Sequence, residues 1–302
     1  ASAGTSSSSN AAPADASRRA PVKLSILTSG TPLRECAGTA RRAEALGFEA
    51  LWVPDHLVAP LQFAAVYPYR DTGLPSFRPD TPFADPWIML THLAGVTSTL
   101  LLGVGVFVLP LRNLFAAAKS VATAQILSDG RVLLGVGIGW MREEFEAVRE
   151  PFERRAARTE EMLAVMKKLW SGQPVEHRGE WYRFDTLQMS PGLARQPPLL
   201  WGGTSAAALR RAARSCDGWY GPPRRLEENI AVRAQLAREL ADAGRDPARF
   251  SVWARASEAM DAATIARYRD AGFEHLALRP PDNLAGAARL EWMDQVADWA
   301  AR

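Results

Sequence analysis

RVLLGVGIGWMREEF, residues 131–145, passes from a leucine- and valine-rich run through spaced glycines into a charged segment. Residues 131–136 are branched and apolar enough for a strand buried on both faces. Gly135, Gly137 and Gly139 then remove side chains where a backbone can approach a ligand closely. The charged segment that follows opens a helix. Strand, glycine turn and helix start make a place where backbone N–H groups meet an anion such as a phosphate. The same glycines equally suit tight packing at the end of a barrel strand.

Outward from this stretch the chain repeats one alternation. Segments 22–28, 50–53 and 100–108 before it, and 198–201, 217–220, 250–254 and 275–278 after it, read as strands. Helices are expected over 32–46, 87–96, 113–127, 152–170, 205–215, 226–243, 262–271 and 284–301. Eight strands alternating with helices predict an α/β chain of the (β/α)8 TIM-barrel type rather than a doubly wound sheet. Two segments break the rhythm. Residues 57–86, rich in Pro, Tyr, Phe and Asp, read as a binding loop or lid, with a disordered insertion as the bland alternative. Phe63, Tyr67, Tyr69 and Phe77 favour an ordered, substrate-facing loop. HRGEWYRFD, 177–185, reads as a short hairpin.

The 302 residues, 47% of them hydrophobic, fit one barrel with a sizeable core. Net charge is +3, and Lys and Arg are interspersed with Glu and Asp, so no basic stripe for nucleic acid appears. Cys36 and Cys216 have no Cys-x-x-Cys partner and read as reduced thiols. The longest apolar run, 100–111, falls short of the ~20 residues that span a bilayer. Residues 1–20, Ser- and Ala-rich without the apolar centre of an export signal, read as a flexible tail before a single domain over 21–302. A cytoplasmic location is expected. No metal-ligand spacing occurs, so no metal is expected. No Gly-x-Ser-x-Gly elbow marks an α/β hydrolase. The 10 tryptophans serve either core or ligand stacking.

In a barrel of this kind functional groups gather at the C-terminal strand ends. That rule selects Asp55 and His56 after the second strand and Gly105–Leu109 on the third. It also selects Gly137, Ile138, Gly139 and Trp140 after the fourth, and Gly202, Gly203 and Thr204 after the fifth. His56 is placed for general acid–base work, with Asp55 orienting a loop or capping a turn; otherwise the pair only satisfies local backbone donors. His92, His177 and His275 read as structural. Trp140 occupies the sixth position of what would be a dinucleotide fingerprint, and the barrel rhythm is wrong for that fold.

Several blocks, in order, carry a family resemblance: EALGFEALWVPDHLV (44–58), LLLGVGVFVLPLRN (100–113), LSDGRVLLGVGIGWMREEFEA (127–147) with PFERRAARTEEML (151–163), and LLWGGTSAAALRRAARSCDGWY (199–220). They resemble the bacterial-luciferase-like oxidoreductases, and more narrowly the branch dependent on the deazaflavin coenzyme F-420. The resemblance implies a barrel with insertions at its C-terminal mouth. It places a non-proline cis peptide at Gly105-Val106, backing the cofactor ring. Gly137, Ile138, Gly139 and Trp140, with Gly202, Gly203 and Thr204, match the segments that hold the ribityl-phosphate side. Asp55-His56 matches the motif whose histidine handles protons beside the reactive ring. Sugar-phosphate-oxidising members carry a glutamate at the position of Trp140 and a tryptophan within the segment matching 57–60, so a different, bulkier and less polar substrate is expected here.

The implied activity is hydride transfer between F-420 and an organic small molecule. FMN is the alternative cofactor, in a reduced-flavin monooxygenase that uses O₂ and a partner flavin or deazaflavin reductase. A non-catalytic flavin-binding barrel is the third reading. A homodimer packed over 87–95 and 114–126 is expected.

Overall fold

The computed structural model describes residues 21–301. Its strands are β1 (Lys23–Leu27), β2 (Ala50–Val53), β3 (Leu101–Val108), β4 (Val132–Gly137), the hairpin pair β5 (Val175–Arg178) and β6 (Arg183–Leu187), then β7 (Leu199–Gly202), β8 (Gly218–Arg224), β9 (Ser251–Ala256) and β10 (His275–Leu278). All but the hairpin pair close a parallel barrel in the order β1-β2-β3-β4-β7-β8-β9-β10, with β10 returning to β1. The helices are α1 (Cys36–Ala45), α2 (Pro86–Ala94), α3 (Leu114–Leu127), α4 (Arg142–Val148), α5 (Arg155–Leu169), α6 (Ala206–Ser215), α7 (Leu226–Asp242), α8 (Ala262–Asp270) and α9 (Gly286–Ala301). The (β/α)8 expectation therefore holds. The proposed tail, 1–20, lies outside the described residues.

Strand side chains alternate between two cores. Leu51, Val53, Leu102, Val104, Leu134 and Val136 face the helices. Leu27, Trp52, Leu133, Tyr220, Trp253 and Ala277 fill the barrel interior. Trp52 is the centre of that plug, with ring centroids 4.3 Å from Tyr220 and 5.0 Å from Trp253. Its indole N–H donates to Ser25 Oγ at 3.0 Å, so the buried donor is satisfied. Gly103 makes room for it, since a Cβ there would lie 2.2 Å from the indole. Six of the ten tryptophans are core: Trp52, Trp87, Trp170, Trp201, Trp219 and Trp253 are buried.

Several element ends differ from expectation by a few residues, and two of the differences have clear local reasons. Helix α2 begins at Pro86, because proline suits the first helical position and Asp85 caps the Trp87 and Ile88 N–H groups. Strand β8 continues past Tyr220 through Gly221-Pro222-Pro223 to Arg224, with its register to β9 shifted between Tyr220 and Pro223. A proline tolerates such an irregular position, where it owes no ladder hydrogen bond.

The organising stretch is pinned at its start by the Arg131 guanidinium, which donates to the carbonyls of Ala94, Thr97, Leu100 and Ser128. A second clamp lies beside it. Glu44 Oε1 accepts from the backbone N–H groups of Ser98, Thr99 and Leu100 at 2.6–3.0 Å. Burial opposes charge on Glu44, but the Thr99, Leu100 and Ser98 N–H groups outweigh it and hold the carboxyl down at about 2. A lowered folded-state pKa means stability present above the ordinary glutamate value and lost as pH falls towards 2. Glu44→Gln is expected to cost about 1–2 kcal/mol at neutral pH in urea unfolding, discounted for partial exposure. The gap to wild type should close on acidification from pH 5 to pH 2; a gap that stays constant would exclude this clamp.

Both cysteines are buried free thiols, pushed up by desolvation to about 11 and so unreactive. Among the described residues no helix is long and apolar enough to cross a membrane, and no group of His, Cys, Asp and Glu could hold a metal ion.

Candidate active site

The chain from β2 runs directly into Asp55 and His56 at the barrel mouth. Asp55 is buried and both its oxygens are engaged: Oδ2 accepts from Val108 N–H at 2.9 Å and Oδ1 from the Arg112 guanidinium at 2.6 Å. Burial pushes its carboxyl up, while Arg112 and the Val108 N–H pull it back. Its geometry is that of a tie between the ends of β2 and β3, the loop-orienting role.

His56 Nδ1 lies 3.1 Å from Glu144 Oε2, and Glu144 is 1% exposed. Glu144 Oε1 accepts from Leu57 N–H at 2.6 Å. An ionised carboxylate only accepts, which favours the Nδ1–H tautomer of His56 and leaves Nε2 as its other ring nitrogen. Nε2 has no protein partner among the described residues. The neighbouring Glu143 Oε1 accepts from Ala64 and Ala65 N–H at 2.7 and 3.0 Å. Two consecutive glutamates in the first turn of α4 thus fasten the loop after β2, one at each end of its first stretch. Sequence reasoning took this charged segment only as a helix start and missed both roles. The available signal was a pair of acids in a first helical turn directly after a glycine-rich strand end.

The long loop is ordered and aromatic, as expected. The His56 ring packs against Phe77 and Phe83 at 4.8 and 5.1 Å between centroids. Trp140 stacks on Phe63 at 6.2 Å and meets Tyr67 edge-on at 5.1 Å. Trp140 therefore faces the lid and the histidine. Tyr69 reaches the end of β7, where a Cβ on Gly203 would lie 3.3 Å from its hydroxyl.

The Gly105-Val106 peptide is cis, and the β3–β4 register shifts between Val104 and Phe107. This lifts Val106 into a slot between strands. A Cβ on Gly137 would lie 2.5 Å from a Val106 methyl, and one on Gly202 would lie 3.1 Å from the other. A Cβ on Gly135 would meet the Val104 carbonyl oxygen at 2.3 Å, and one on Gly139 would meet Phe145 at 2.6 Å. Close approach to a neighbour accounts for the missing side chain at each of the three glycines on residues 135–139, which leaves a ligand-facing role of their backbone open. They clear space for β3 and α4.

A family model for luciferase-like monooxygenases matches residues 17–301. The chain belongs to that family. Among relatives of this luciferase-like barrel is the F-420-dependent hydroxymycolic acid dehydrogenase of Mycobacterium tuberculosis, 30% identical over 213 residues, covering 69% of this chain and 54% of that one. Another is the FMNH2-dependent dimethylsulfone monooxygenase of Pseudomonas fluorescens, 33% identical over 139 residues, 45% of this chain and 38% of that one. The solved structure of an F-420-dependent secondary alcohol dehydrogenase with an F-420–acetone adduct superposes with a TM-score of 0.76 at 17% identity, over 94% of this chain and all of that one. The last likeness is one of fold.

The residues of this luciferase-like mouth fit a planar tricyclic ring. Val106, half-buried between Gly137 and Gly202, offers an apolar face at the ends of β3, β4 and β7, and His56 with its loop aromatics lies at the end of β2. Gly139 (φ 74°) and Gly203 (φ 96°) turn the backbone in the left-handed region at the ends of β4 and β7. Two of the other histidines are paired away from this site: His177 with Glu161 at 3.1 Å, and His275 with Glu49 at 2.7 Å, while His92 is exposed on α2. The helices offered for dimer packing, α2 and α3, bury one face and expose Ile88, Phe115, Ile126 and Leu127.

Proposed function

We propose that the protein is an oxidoreductase that moves a hydride between coenzyme F-420 and an organic substrate, with His56 exchanging the accompanying proton. The observation that carries this reading is the buried Glu144 carboxylate on His56 Nδ1, which reserves Nε2 for proton transfer at the mouth. The F-420-dependent relative supports the deazaflavin. When bound, F-420 supplies a two-electron hydride acceptor or donor at C5.

The chain supplies the surroundings. Val106 backs the ring, and residues 137–140 and 202–204 hold its ribityl-phosphate side. Glu144 fixes the tautomer and orientation of His56. Phe63, Phe77 and Phe83 on the loop exclude water from the ring and from His56. Two electrons enter or leave the substrate with the hydride, and the compensating proton passes through Nε2.

Titration of the purified protein with oxidised F-420 and, in parallel, with FMN, followed by ring fluorescence, tests the reading. Micromolar binding of F-420 with FMN at least about tenfold weaker (1.4 kcal/mol) is expected. The reverse preference would favour a reduced-flavin monooxygenase like the Pseudomonas relative, to be checked by O₂ uptake with a partner reductase.

A further inference from the structure

Three consecutive barrel strands end in arginine: Arg224 closes β8, Arg255 is next to last in β9, and Arg279 follows β10. Their direction follows from strand alternation. Trp253 and Ala277 point into the barrel interior, so Arg255 and Arg279, each two residues on, rise from the same face into the mouth. The Arg255 guanidinium confirms this, lying 5.8 Å from the ring centroid of the interior Tyr220. Arg224 Nη2 donates to Thr204 Oγ1 at 3.1 Å, which joins the group to the end of β7.

Their charges are unequally spent. Arg224 pairs with Glu228 and Arg279 with Asp282. Arg255 pairs with no carboxylate among the described residues. The Nε atoms of Arg224 and Arg279 are buried without an acceptor, and so is the Tyr220 hydroxyl, whose residue is 2% exposed. Buried donors left unpaired cost free energy, so a cluster of them beside an unpaired guanidinium points to an absent acceptor. The uncompensated guanidinium of Arg255 suits an anion. Above the cluster stand Tyr67 and Tyr69, packed edge to face at 5.5 Å. Burial pushes the Tyr67 phenol up while Arg255, Arg70 and Arg279 pull it down, which places these arginines within its electrostatic reach.

Barrel order decides what the anion belongs to. In the eight-strand ring β9 stands opposite β3, and β8 opposite β2. Arg255 therefore faces Val106 across the mouth. A ring lying on Val106, with its phosphate side at the ends of β4 and β7, presents its free face to Arg255 and Arg279. That free face is where a hydride partner must lie.

Resting on the F-420 reading above, we propose that Arg224, Arg255 and Arg279 take the carboxylate of the organic substrate, whose apolar body lies among the loop aromatics near His56. The substrate class is an organic acid with an apolar or aromatic body. Guanidinium groups bind carboxylates through paired, charge-assisted hydrogen bonds, and the two tyrosine hydroxyls add donors.

Calorimetric titration of the full chain with benzoate and with its neutral counterpart benzamide, both without cofactor and saturated with F-420, tests this. Benzoate is expected to bind at least about tenfold more tightly than benzamide. Arg255→Gln should remove the preference, and Arg255→Lys should keep part of it. No described residue depends on the Arg255 side chain for a hydrogen bond, so the variant should melt within a few degrees of wild type; Arg279→Gln serves as the second variant. Equal binding of benzoate and benzamide to the wild type would overturn the proposal. So would a loss of F-420 affinity in Arg255→Gln with affinity for the phosphate-free ribityl precursor of F-420 unchanged, because the arginines would then hold the cofactor's anionic tail. Failure of F-420 to bind the wild type at all is a different result: it removes the cofactor reading, while the benzoate preference is still read on the cofactor-free protein.

Discussion

His56→Ala lowers turnover by about 10²–10⁴-fold, the usual loss when a positioned proton donor or acceptor is removed. Affinity for F-420 should change little, because the floor at Val106 and the turns after β4 and β7 do not rest on the imidazole. The partner variant, Glu144→Gln, keeps the shape of the side chain, and its amide oxygen can still accept from Leu57 N–H. What it loses is the second acceptor: with its oxygen on Leu57 N–H, the NH₂ faces His56 Nδ1 and favours the opposite tautomer, protonated on Nε2. Turnover between that of wild type and His56→Ala is expected, with an altered pH profile. A readout independent of substrate also exists. Nitrogen-15 spectra of histidine-labelled protein should show the proton of His56 on Nδ1 in the wild type and shifted towards Nε2 in Glu144→Gln. Full turnover by His56→Ala would remove the histidine from the mechanism.

The pairing of His56 with Glu144 marks where the sequence stopped being legible. The barrel was readable because its strands are short apolar runs at regular spacing, and parallel strands covered on both faces admit little else. The aromatic loop after β2 was readable from composition, and Asp55 and His56 from their place at a strand end. Glu144 was not, because its partner lies 88 residues away and only the pairing of β2 and β4 on either side of β3 brings their ends together. The arginines of β8, β9 and β10 were hidden for the same reason. Each looks like an ordinary surface charge until alternation and strand order aim it into the mouth. The extension of β8 through two prolines was hidden differently, since proline usually argues against a strand and here sits at a register shift.

The glycines of residues 131–145 were legible as a need for space but not as to what fills it, and two alanine substitutions separate the possibilities. Gly135→Ala drives a Cβ to 2.3 Å from the Val104 carbonyl oxygen, an atom of the neighbouring barrel strand. Neither backbone can retreat, since β3 and β4 are each paired on both sides. A loss of about 3 kcal/mol or more is expected, seen as a large fall in Tm or as insoluble protein. Gly137→Ala meets something softer, a Val106 methyl at 2.5 Å. A stiff valine must shift as a whole, but a side chain yields more readily than a backbone carbonyl, so the fold should survive at a cost of about 1–2 kcal/mol. The displaced methyl belongs to the floor on which the ring is proposed to lie, however, so affinity for F-420 should fall by about tenfold or more. Strong destabilisation at residue 135 with retained folding and weakened cofactor binding at 137 would assign the first glycine to the barrel and the second to the site. If Gly137→Ala instead bound F-420 as the wild type does, Val106 would be no part of the cofactor's bed.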